Sequence, residues 1–360
     1  MSTSTVPGNL QPAKQGPSSD GFGSRVLRRV LTDRVTLLAI LIVALLVAFS
    51  ALSAADRLNA PFNVSYLSTS LMSLVPVALL ALAQMFVIMS GRSGIDLSVG
   101  GMVSLAAMLF GWLVGPQQWP VITAVVITLI AAMLMGLLNG YLVSYLGFPP
   151  LIATLASSYV FGSMAMLAND RAPFADERIA ATNALTRRIE LFGDVAVPAH
   201  VFTVLLPCIL IAWLALAKSR WGKSLYAVGT NDVAAKYATQ PVKATRASAY
   251  VAAGLLSGVA AIVNVAQFAS ARPDAGTAGN GMALPAITIA VLGGVAIAGG
   301  LGRVGGTALA ALLITWLNAA ILISFQGSMG PRVQLLALGL VLLGAVLLNS
   351  YANRRYGLAE

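Results

Sequence analysis

The chain has 360 residues, of which 58% are hydrophobic and only 9% are charged. Soluble domains carry about 25% charged residues, so this composition excludes an ordinary water-soluble fold and indicates that lipid surrounds most of the chain. The net charge of +10 lies in short segments between long apolar runs, as in the loops of membrane proteins, and not in a nucleic-acid groove. Cys208 and His200 are each the single residue of their type, which excludes an internal disulfide bond and predicts no metal site.

The first 34 residues are predicted to form a flexible, basic tail on the cytoplasmic side. They are rich in Gly, Pro, Ser and Gln and end with Arg25, Arg28, Arg29 and Arg34. An apolar run over 35–52 follows. Basic residues before an apolar run also occur in signal peptides, but this run of about 18 residues exceeds the roughly 7–15 typical there. An uncleaved first membrane helix is therefore favoured over a cleaved signal peptide.

Nine further apolar runs follow the first. They lie at 69–90, 97–114, 120–145, 150–168, 201–217, 247–268, 284–300, 306–324 and 333–349. Together the runs predict an all-α polytopic membrane protein of about ten transmembrane helices. Runs 97–114 and 284–300 are short and rich in glycine, so each is predicted to form a broken or tilted helix. The expected organisation is one transmembrane domain over 35–350 and a cytoplasmic tail over 351–360.

Ten helices place both chain ends on one side of the membrane, and the distribution of charge assigns that side to the cytoplasm. With the N-terminus inside, the inside segments hold 15 of the 22 basic residues and 5 of the 12 acidic residues. The outside segments hold the other seven of each kind, so their net charge is zero. This asymmetry is the one that the positive-inside rule predicts.

Two predicted loops are longer than the others. The outside loop, about 169–200, carries charges of both signs. It is interpreted either as a solvated connector or as a docking surface for a partner on the outer side. The inside loop, about 218–246, carries more information because its sequence predicts a helix.

This inside helix is predicted to be short and amphipathic. Asn231 is a favourable N-cap, and Asp232 suits the first helical turn. Val233, Ala234 and Tyr237 then fall on one face. Such a helix either lies on the lipid surface or inserts into a groove on a partner protein. The chemistry of the residues leaves both interpretations open.

Asp96 and Ser98 lie at the edge of the third apolar run. One interpretation is that they cap the helix beginning near Leu97, with the carboxylate facing the positive end of the helix. The other is that Asp96 acts as a gate or ion-pair partner at the cytoplasmic mouth, with Arg92 as its partner.

Four amide side chains lie inside apolar runs, where each must find a partner or line a polar path. They are Gln84, Asn139, Asn264 and Asn318. Neutral amides suit a neutral polyol, because they form hydrogen bonds without adding charge. With Asp96 and Ser98 they are candidate residues of a translocation pathway, and contacts between helices are the alternative role.

Four segments resemble one family in the same order along the chain. Residues 227–235 resemble the cytoplasmic coupling loop of the permeases in ribose-type ABC sugar importers. Residues 94–100 resemble the family signature after the second helix, and residues 149–155 resemble the motif that opens the fifth. Residues 293–307 resemble its glycine-rich stretch near the eighth. The similarity covers about residues 65–350.

The resemblance implies roles for particular residues. The residues implied for coupling to an ATPase are Ala227, Gly229, Asn231, Asp232, Val233, Ala234, Ala235 and Tyr237. The residues implied for the structural motifs are Gly94, Gly100, Pro149, Pro150, Gly293, Gly294, Gly300, Gly302 and Gly306. The prolines fix the entry angle of a helix, and the glycines allow close packing or unwound backbone. The sequence departs from the family at Thr239, near which the family often has a glycine.

The resemblance implies a permease subunit of an ATP-driven ABC importer in the bacterial inner membrane, and not an enzyme. Such a permease pairs with a second permease chain, identical or related, and stands on ATPase subunits that use ATP and Mg²⁺. A periplasmic or lipid-anchored binding protein delivers a sugar or sugar-like solute. This chain has no GxxxxGK[ST] motif, so hydrolysis is expected in a separate chain, and no cofactor is expected on this one.

The main alternative is an ion-coupled secondary transporter of a small neutral solute. Such proteins place ionisable residues near the middle of the membrane. Here the apolar runs contain almost none, which argues against a proton relay, although sodium sites built from neutral oxygens stay open. A membrane scaffold without transport activity is the third interpretation.

Overall fold

The computed structural model describes residues 33–192, 195–278 and 281–356, most of them helical. The helices are α1 (Arg34–Ala54), α2 (Val64–Met89), α3 (Val99–Val114), α4 (Val121–Ser144), α5 (Pro150–Leu167), α6 (Glu177–Ala181), α7 (Leu206–Lys218), α8 (Arg220–Thr230), α9 (Asp232–Tyr237), α10 (Val242–Phe268), α11 (Ala283–Leu292), α12 (Val304–Ser324) and α13 (Met329–Tyr356). The predicted N-terminal tail lies outside the described residues, except for its last two.

The helices follow the ten predicted apolar runs. Eight helical segments within the described residues are long and apolar enough to cross a membrane, and α3 and α11 are shorter apolar helices. The eight include Val201–Lys218, in which one π-helical turn leads into α7. At its C-terminal end the chain stays helical to Tyr356, beyond the predicted boundary at residue 350. The all-α polytopic fold is therefore confirmed.

Helices α2 and α10 form the centre of the domain. Most of their residues are buried, whereas α1 and α13 are largely exposed and present apolar side chains to the surroundings. Helices α3, α4 and α12 pack around the central pair. A membrane protein exposes apolar side chains to lipid, so the exposed leucines and valines of the outer helices are in their favoured environment.

Glycines allow α4 and α10 to approach each other closely. A methyl group added to Gly136 would overlap the carbonyl oxygen of Tyr250, and one added to Gly254 would overlap that of Ala132 and lie 3.1 Å from the Cα atom of Gly136. Such contacts let backbones pack in lipid, where no hydrophobic effect drives helices together. The glycines at 136/140 and 254/258 have the small-xxx-small spacing that is typical of such helix contacts.

The predicted outside loop is folded. Helix α6 is capped by Asp176, a 3₁₀ turn follows, and β1 (Arg188–Phe192) pairs antiparallel with β2 (Val195–Pro198). Asn183 donates a hydrogen bond of 2.9 Å to the carbonyl oxygen of Ala266 in α10, and β2 lies against α2. The loop is an ordered cap on the central helices, with most of its described residues exposed, and its role as a solvated connector or as a docking surface stays a prediction.

Two short helices leave irregular backbone beside them. Helix α3 has 16 residues, about 24 Å at roughly 1.5 Å per residue, and α11 has 10 residues, about 15 Å. A hydrocarbon core is about 30 Å thick, so neither helix spans it alone. The segments 90–98 and 293–303 supply the irregular backbone. Both runs that were predicted to be broken helices are thus short helices joined to turns.

Substitution of Gly254 by alanine is expected to lower the thermal unfolding temperature in detergent, because the new methyl group would push α10 away from α4. Gly305→Ala is the matched control, since nothing lies within 4 Å of a methyl group there. Alanine favours helix over glycine by about 1 kcal/mol, so the control is expected to be neutral or stabilising. Equal effects of the two variants on the unfolding temperature would contradict the close contact.

Candidate functional site

The irregular segment 90–98 turns back into the protein beside α2. Gln84 lies more than one turn before the end of α2 at Met89. Its Nε2 donates to the carbonyl oxygen of Asp96, and its Oε1 accepts from the N–H of Asp96 at 3.3 Å. One amide side chain thus satisfies both backbone polar groups of a buried residue. Gln84 was predicted as a pathway residue, and here its amide is used to hold the segment.

Asp96, Ser98 and Asn139 form a buried polar cluster at the start of α3. Asp96 Oδ1 accepts from the N–H of Ser98 at 2.8 Å and from its hydroxyl at 2.5 Å. Asn139 Nδ2 donates to the same hydroxyl at 2.7 Å. All three side chains are 0% exposed. The Asp96 carboxylate lies at the N-terminal end of α3, which begins at Val99, two residues after Leu97, whereas the side chain of Ser98 caps no backbone N–H group of the helix.

The motif that opens the fifth helix holds the same segment. Pro150 is the first residue of α5, the position that favours proline, and Pro149 precedes it as the N-cap. Thr154 Oγ1, on the first turns of α5, accepts from the N–H of Leu97 at 3.1 Å. Two of the four predicted motifs are therefore in direct contact.

The other two motifs meet at a junction of glycines. The N–H of Gly300 donates to the carbonyl oxygen of Met89 at 3.0 Å. A methyl group at Gly229, in α8, would overlap that oxygen and lie 2.5 Å from the nitrogen of Gly300. Gly91 and Gly299, both at positive φ, touch the same backbone. This set, Gly91, Gly229, Gly299 and Gly300, is the glycine junction.

The remaining motif glycines also mark close approaches. A methyl group at Gly94 would lie 2.7 Å from the carbonyl oxygen of Val87, and one at Gly100 would lie 2.5 Å from that of Gly276. Gly293 and Gly306 face each other where α11 ends and α12 begins, and a methyl group at Gly293 would lie 2.6 Å from the Cα atom of Thr307. A methyl group at Gly302 would lie 2.5 Å from the sulfur of Met89. Gly294 adopts a φ of +94°, so the stretch combines close packing with unwound backbone.

Helix α9 presents apolar side chains to the surface. Asn231 caps it by accepting from the N–H of Ala234 at 2.9 Å, as predicted. Val233 and Tyr237 are 61% and 87% exposed, whereas Ala235 is buried against the protein. A helix of six residues is too short to persist alone, so its neighbours must hold it in place.

Two ion pairs that share Asp232 fix the beginning of α9. Asp232 Oδ2 accepts from Arg92 Nε at 2.9 Å and from Arg246 Nη2 at 3.3 Å. Arg246 is buried, and its Nε also donates to the carbonyl oxygen of Ser90 at 3.2 Å. Partial burial alone would raise the pKa of Asp232, but the hydrogen bond from Arg246 and the charge of Arg92 outweigh it and lower the pKa. Arg92 thus pairs with Asp232, and the predicted pair of Arg92 with Asp96 is wrong.

Aromatic residues join α8 to the membrane domain. Trp221 Nε1 donates to Ser248 Oγ at 2.7 Å, and the Tyr226 hydroxyl donates to the carbonyl oxygen of Gly302 at 2.8 Å. Trp221 also stacks edge-on against Phe86 with ring centroids 5.3 Å apart. Helices α8 and α9 are therefore attached at several points to α2, α10 and the segment before α12.

The structure divides the predicted site residues into groups. Gln84, Asp96, Ser98 and Asn139 come together around segment 90–98. Two of the residues predicted for coupling lie next to this segment, Gly229 at the glycine junction and Asp232 beside Arg92. Asn264 is buried separately in α10, and Asn318 lies in α12, where its backbone carbonyl oxygen, not its side-chain amide, accepts from Gln334 Nε2.

Sequence reasoning missed Arg246, Gly91 and Gly299. Arg246 lies at the edge of an apolar run, and nothing in the sequence there distinguishes a buried arginine from one exposed in a loop. Gly91 precedes one recognised motif and Gly299 lies inside another, but only the fold shows that both approach Gly229.

A known protein family matches most of the chain. A family described as "Branched-chain amino acid transport system / permease component" matches residues 66–349. The chain belongs to this family. It is therefore a permease subunit of an ABC import system and a multi-pass protein of the bacterial inner membrane, as the motifs predicted. Permeases of this kind work with an ATPase and a binding protein. No solved structure matches the chain.

Curated relatives also match over most of the chain. The permease is 35% identical over 287 residues to the autoinducer 2 import system permease protein LsrD of Photorhabdus luminescens, which covers 79% of this chain and 81% of the relative. The LsrD protein of Klebsiella pneumoniae is 36% identical over 265 residues, or 71% and 75% of the two chains. The LsrD protein of Yersinia enterocolitica is 35% identical over 262 residues, with the same coverage.

The Asp96→Asn variant is expected to fold and transport like the parent permease. Asparagine keeps the oxygen that accepts from Ser98 and removes only the charge. The Asp96→Ala variant is expected to lose about 2 kcal/mol of stability, because it leaves the Ser98 groups unpaired in the interior. Thermal unfolding in detergent and uptake into vesicles measure the two effects. An Asp96→Asn variant that folds and assembles but does not transport would show that the charge acts as a gate.

The exit from α9 is strained, and glycine is expected to relieve it. Thr239 follows the helix at a φ of +60°, a left-handed position that glycine occupies at many helix ends. Thr239→Gly is expected to stabilise the permease by about 1 kcal/mol, because a β-carbon is unfavourable there. Thr239→Ala keeps the β-carbon and serves as the control. An equal unfolding temperature for the two variants would refute the strained exit.

Proposed function

We propose that this permease carries a sugar or sugar-like solute and couples to its ATPase through α9. The observation that carries the proposal is the exposed apolar face of α9, formed by Val233, Ala234 and Tyr237. Exposed side chains of this size on a helix that is fixed by a cap and two ion pairs suit insertion into a groove of a partner protein. A helix lying on lipid would need no such fixation.

The proposed coupling path runs from α9 to the interior of the membrane domain. Asp232 joins α9 to Arg92 and Arg246, and α8 reaches segments 90–98 and 293–303 at the glycine junction. A displacement of α8 and α9 by the ATPase therefore acts directly on the irregular backbone beside α3 and α11. Irregular backbone beside short helices is where transporters commonly line their pathways.

The remaining parts of the proposed assembly are other chains. The sequence lacks a GxxxxGK[ST] motif, so the ATPase that binds ATP and Mg²⁺ is a separate subunit. A second permease chain, identical or related, completes the pathway. A binding protein delivers the solute to the outer side, where the folded cap over 169–200 presents its charged residues.

The proposed orientation places both ends of the chain in the cytoplasm. The tail over 1–34, the coupling loop over 218–246 and the tail over 351–360 then lie on the inner side, with the transmembrane domain over 35–350 between the two tails. The excess of Arg and Lys in these segments supports this orientation.

The proposed solute is neutral and rich in hydroxyl groups. Among the described residues, Asp96 and Arg246 are the buried charged side chains, and the other buried polar groups include Gln84, Asn139 and Asn264. The similarity to permeases named for import of autoinducer 2 makes that molecule the first to test. The family description names branched-chain amino acids, so titration of the binding protein with autoinducer 2, ribose and leucine decides between solute classes.

Substitution of both Val233 and Tyr237 by aspartate is expected to abolish association with the ATPase while leaving membrane insertion intact, because charges cannot enter an apolar groove without a large cost. The measurement is a pull-down of tagged permease from native membranes in mild detergent, with copurifying chains identified by mass spectrometry.

The matched control for this experiment is Ile189→Asp with Leu191→Asp. These two exposed apolar residues lie on β1, on the side proposed to face outward. The control is expected to retain the ATPase. If the parent permease copurifies with an ATPase and the α9 double variant retains it and transports normally, the coupling role of α9 is wrong.

A further inference from the structure

A basic cleft opens beside α9. Its volume is about 770 Å³, and it lies between α9, the end of α4 and the first turns of α10. The basic residues that line it are Arg92, Lys236, Lys243 and Arg246, and Asp232 is the acidic residue among its lining. The cleft therefore carries a net charge of about +3 at neutral pH.

Two of these cations have no acidic partner among the described residues. Asp232 is shared by Arg92 and Arg246. Lys236 and Lys243 are exposed, and the ammonium group of Lys243 lies 5.7 Å from the ring centroid of Tyr145. A protein that covered the cleft without supplying anions would remove two hydrated ammonium groups from water uncompensated, which is costly.

The cleft and the proposed coupling surface are continuous. Val233 and Tyr237, the exposed apolar side chains of α9, also line the cleft. Any protein that accommodates α9 must therefore pass over Lys236 and Lys243. The apolar contact supplies affinity, whereas the charges select which surfaces can approach.

We infer that the cleft receives an acidic segment of the ATPase subunit, whose carboxylates pair with Lys236 and Lys243. This inference rests on the coupling role proposed for α9 and adds the chemistry of the facing surface. The apolar groove that takes Val233 and Tyr237 is bordered by Asp or Glu residues, and association of the two subunits weakens as salt concentration rises.

The test reverses the two charges. The ATPase subunit recovered with the parent permease is purified, and its dissociation constant is measured against permease in lipid nanodiscs at low and high salt. The Lys236→Glu, Lys243→Glu variant is expected to raise the constant by about tenfold or more at low salt and to lose most of the salt dependence. Lys218→Glu with Lys223→Glu, exposed lysines outside the cleft, is the control and is expected to change it less than about threefold.

A second measurement identifies the facing carboxylates. A carbodiimide crosslinker joins lysine amines to carboxylates in direct contact, so it is expected to link Lys236 or Lys243 to an Asp or Glu of the ATPase. Lys236→Arg with Lys243→Arg keeps the charge and removes the amines. This variant is expected to retain binding and lose the crosslink.

The outcomes separate this inference from the proposed coupling function. If the charge-reversal variant binds the ATPase like the parent while the Val233→Asp, Tyr237→Asp variant does not, α9 couples and the acidic segment is absent. If charge reversal leaves ATPase binding intact but reduces copurifying anionic lipid, the cleft holds lipid headgroups and the inference is wrong. If the parent permease binds no ATPase, both proposals are overturned.

Discussion

Inside a membrane every backbone N–H and C=O group must find a partner within the protein, because the hydrocarbon core offers none. Most of this permease meets the constraint with helices. Segments 90–98 and 293–303 do not, and several of their backbone groups are satisfied by the carbonyl oxygen of Met89 at the end of α2 and by side chains of α2 and α5. The positions of Gln84, Thr154 and the glycine junction follow from this need. The need to pair the backbone polar groups of these two segments thus determines much of the arrangement of the site.

The same solution connects the surface to the interior. Because segment 90–98 contains both the backbone held by Gln84 and the side chain of Arg92, one stretch of chain touches the start of α3 and the start of α9. Arg246 strengthens the connection by binding Asp232 and the carbonyl oxygen of Ser90 at once. A partner that displaces α9 therefore acts on the buried cluster in two steps. The first is the ion pair between Asp232 and Arg92, and the second is the short stretch of backbone from Arg92 to Asp96.

The sequence predicts the parts of this arrangement that depend on local chemistry. Membrane helices follow from the length of apolar runs, the start of α5 from Pro150, and the start of α9 from Asn231. The pairings across the fold are not encoded locally. Arg92 lies 140 residues before Asp232, and its pairing with the nearer Asp96 was a reasonable prediction until the fold placed Asp96 in the interior. Likewise, an amide such as Gln84 signals a need for partners but not whether they are solute or backbone.

The glycine junction has a mechanical consequence. Where side chains separate two elements, small displacements are absorbed by rotamer changes, and motion is lost on the way. At Gly229, Gly91 and Gly300 the backbones touch with no side chain between them, so no change of rotamer can absorb a displacement there. Even a shift of α8 by a fraction of an ångström must be taken up by the main chain of its neighbours. The glycine junction is therefore a rigid contact. It passes a displacement of α8 to the neighbouring backbone almost unreduced, and it leaves little space for any larger residue at these positions.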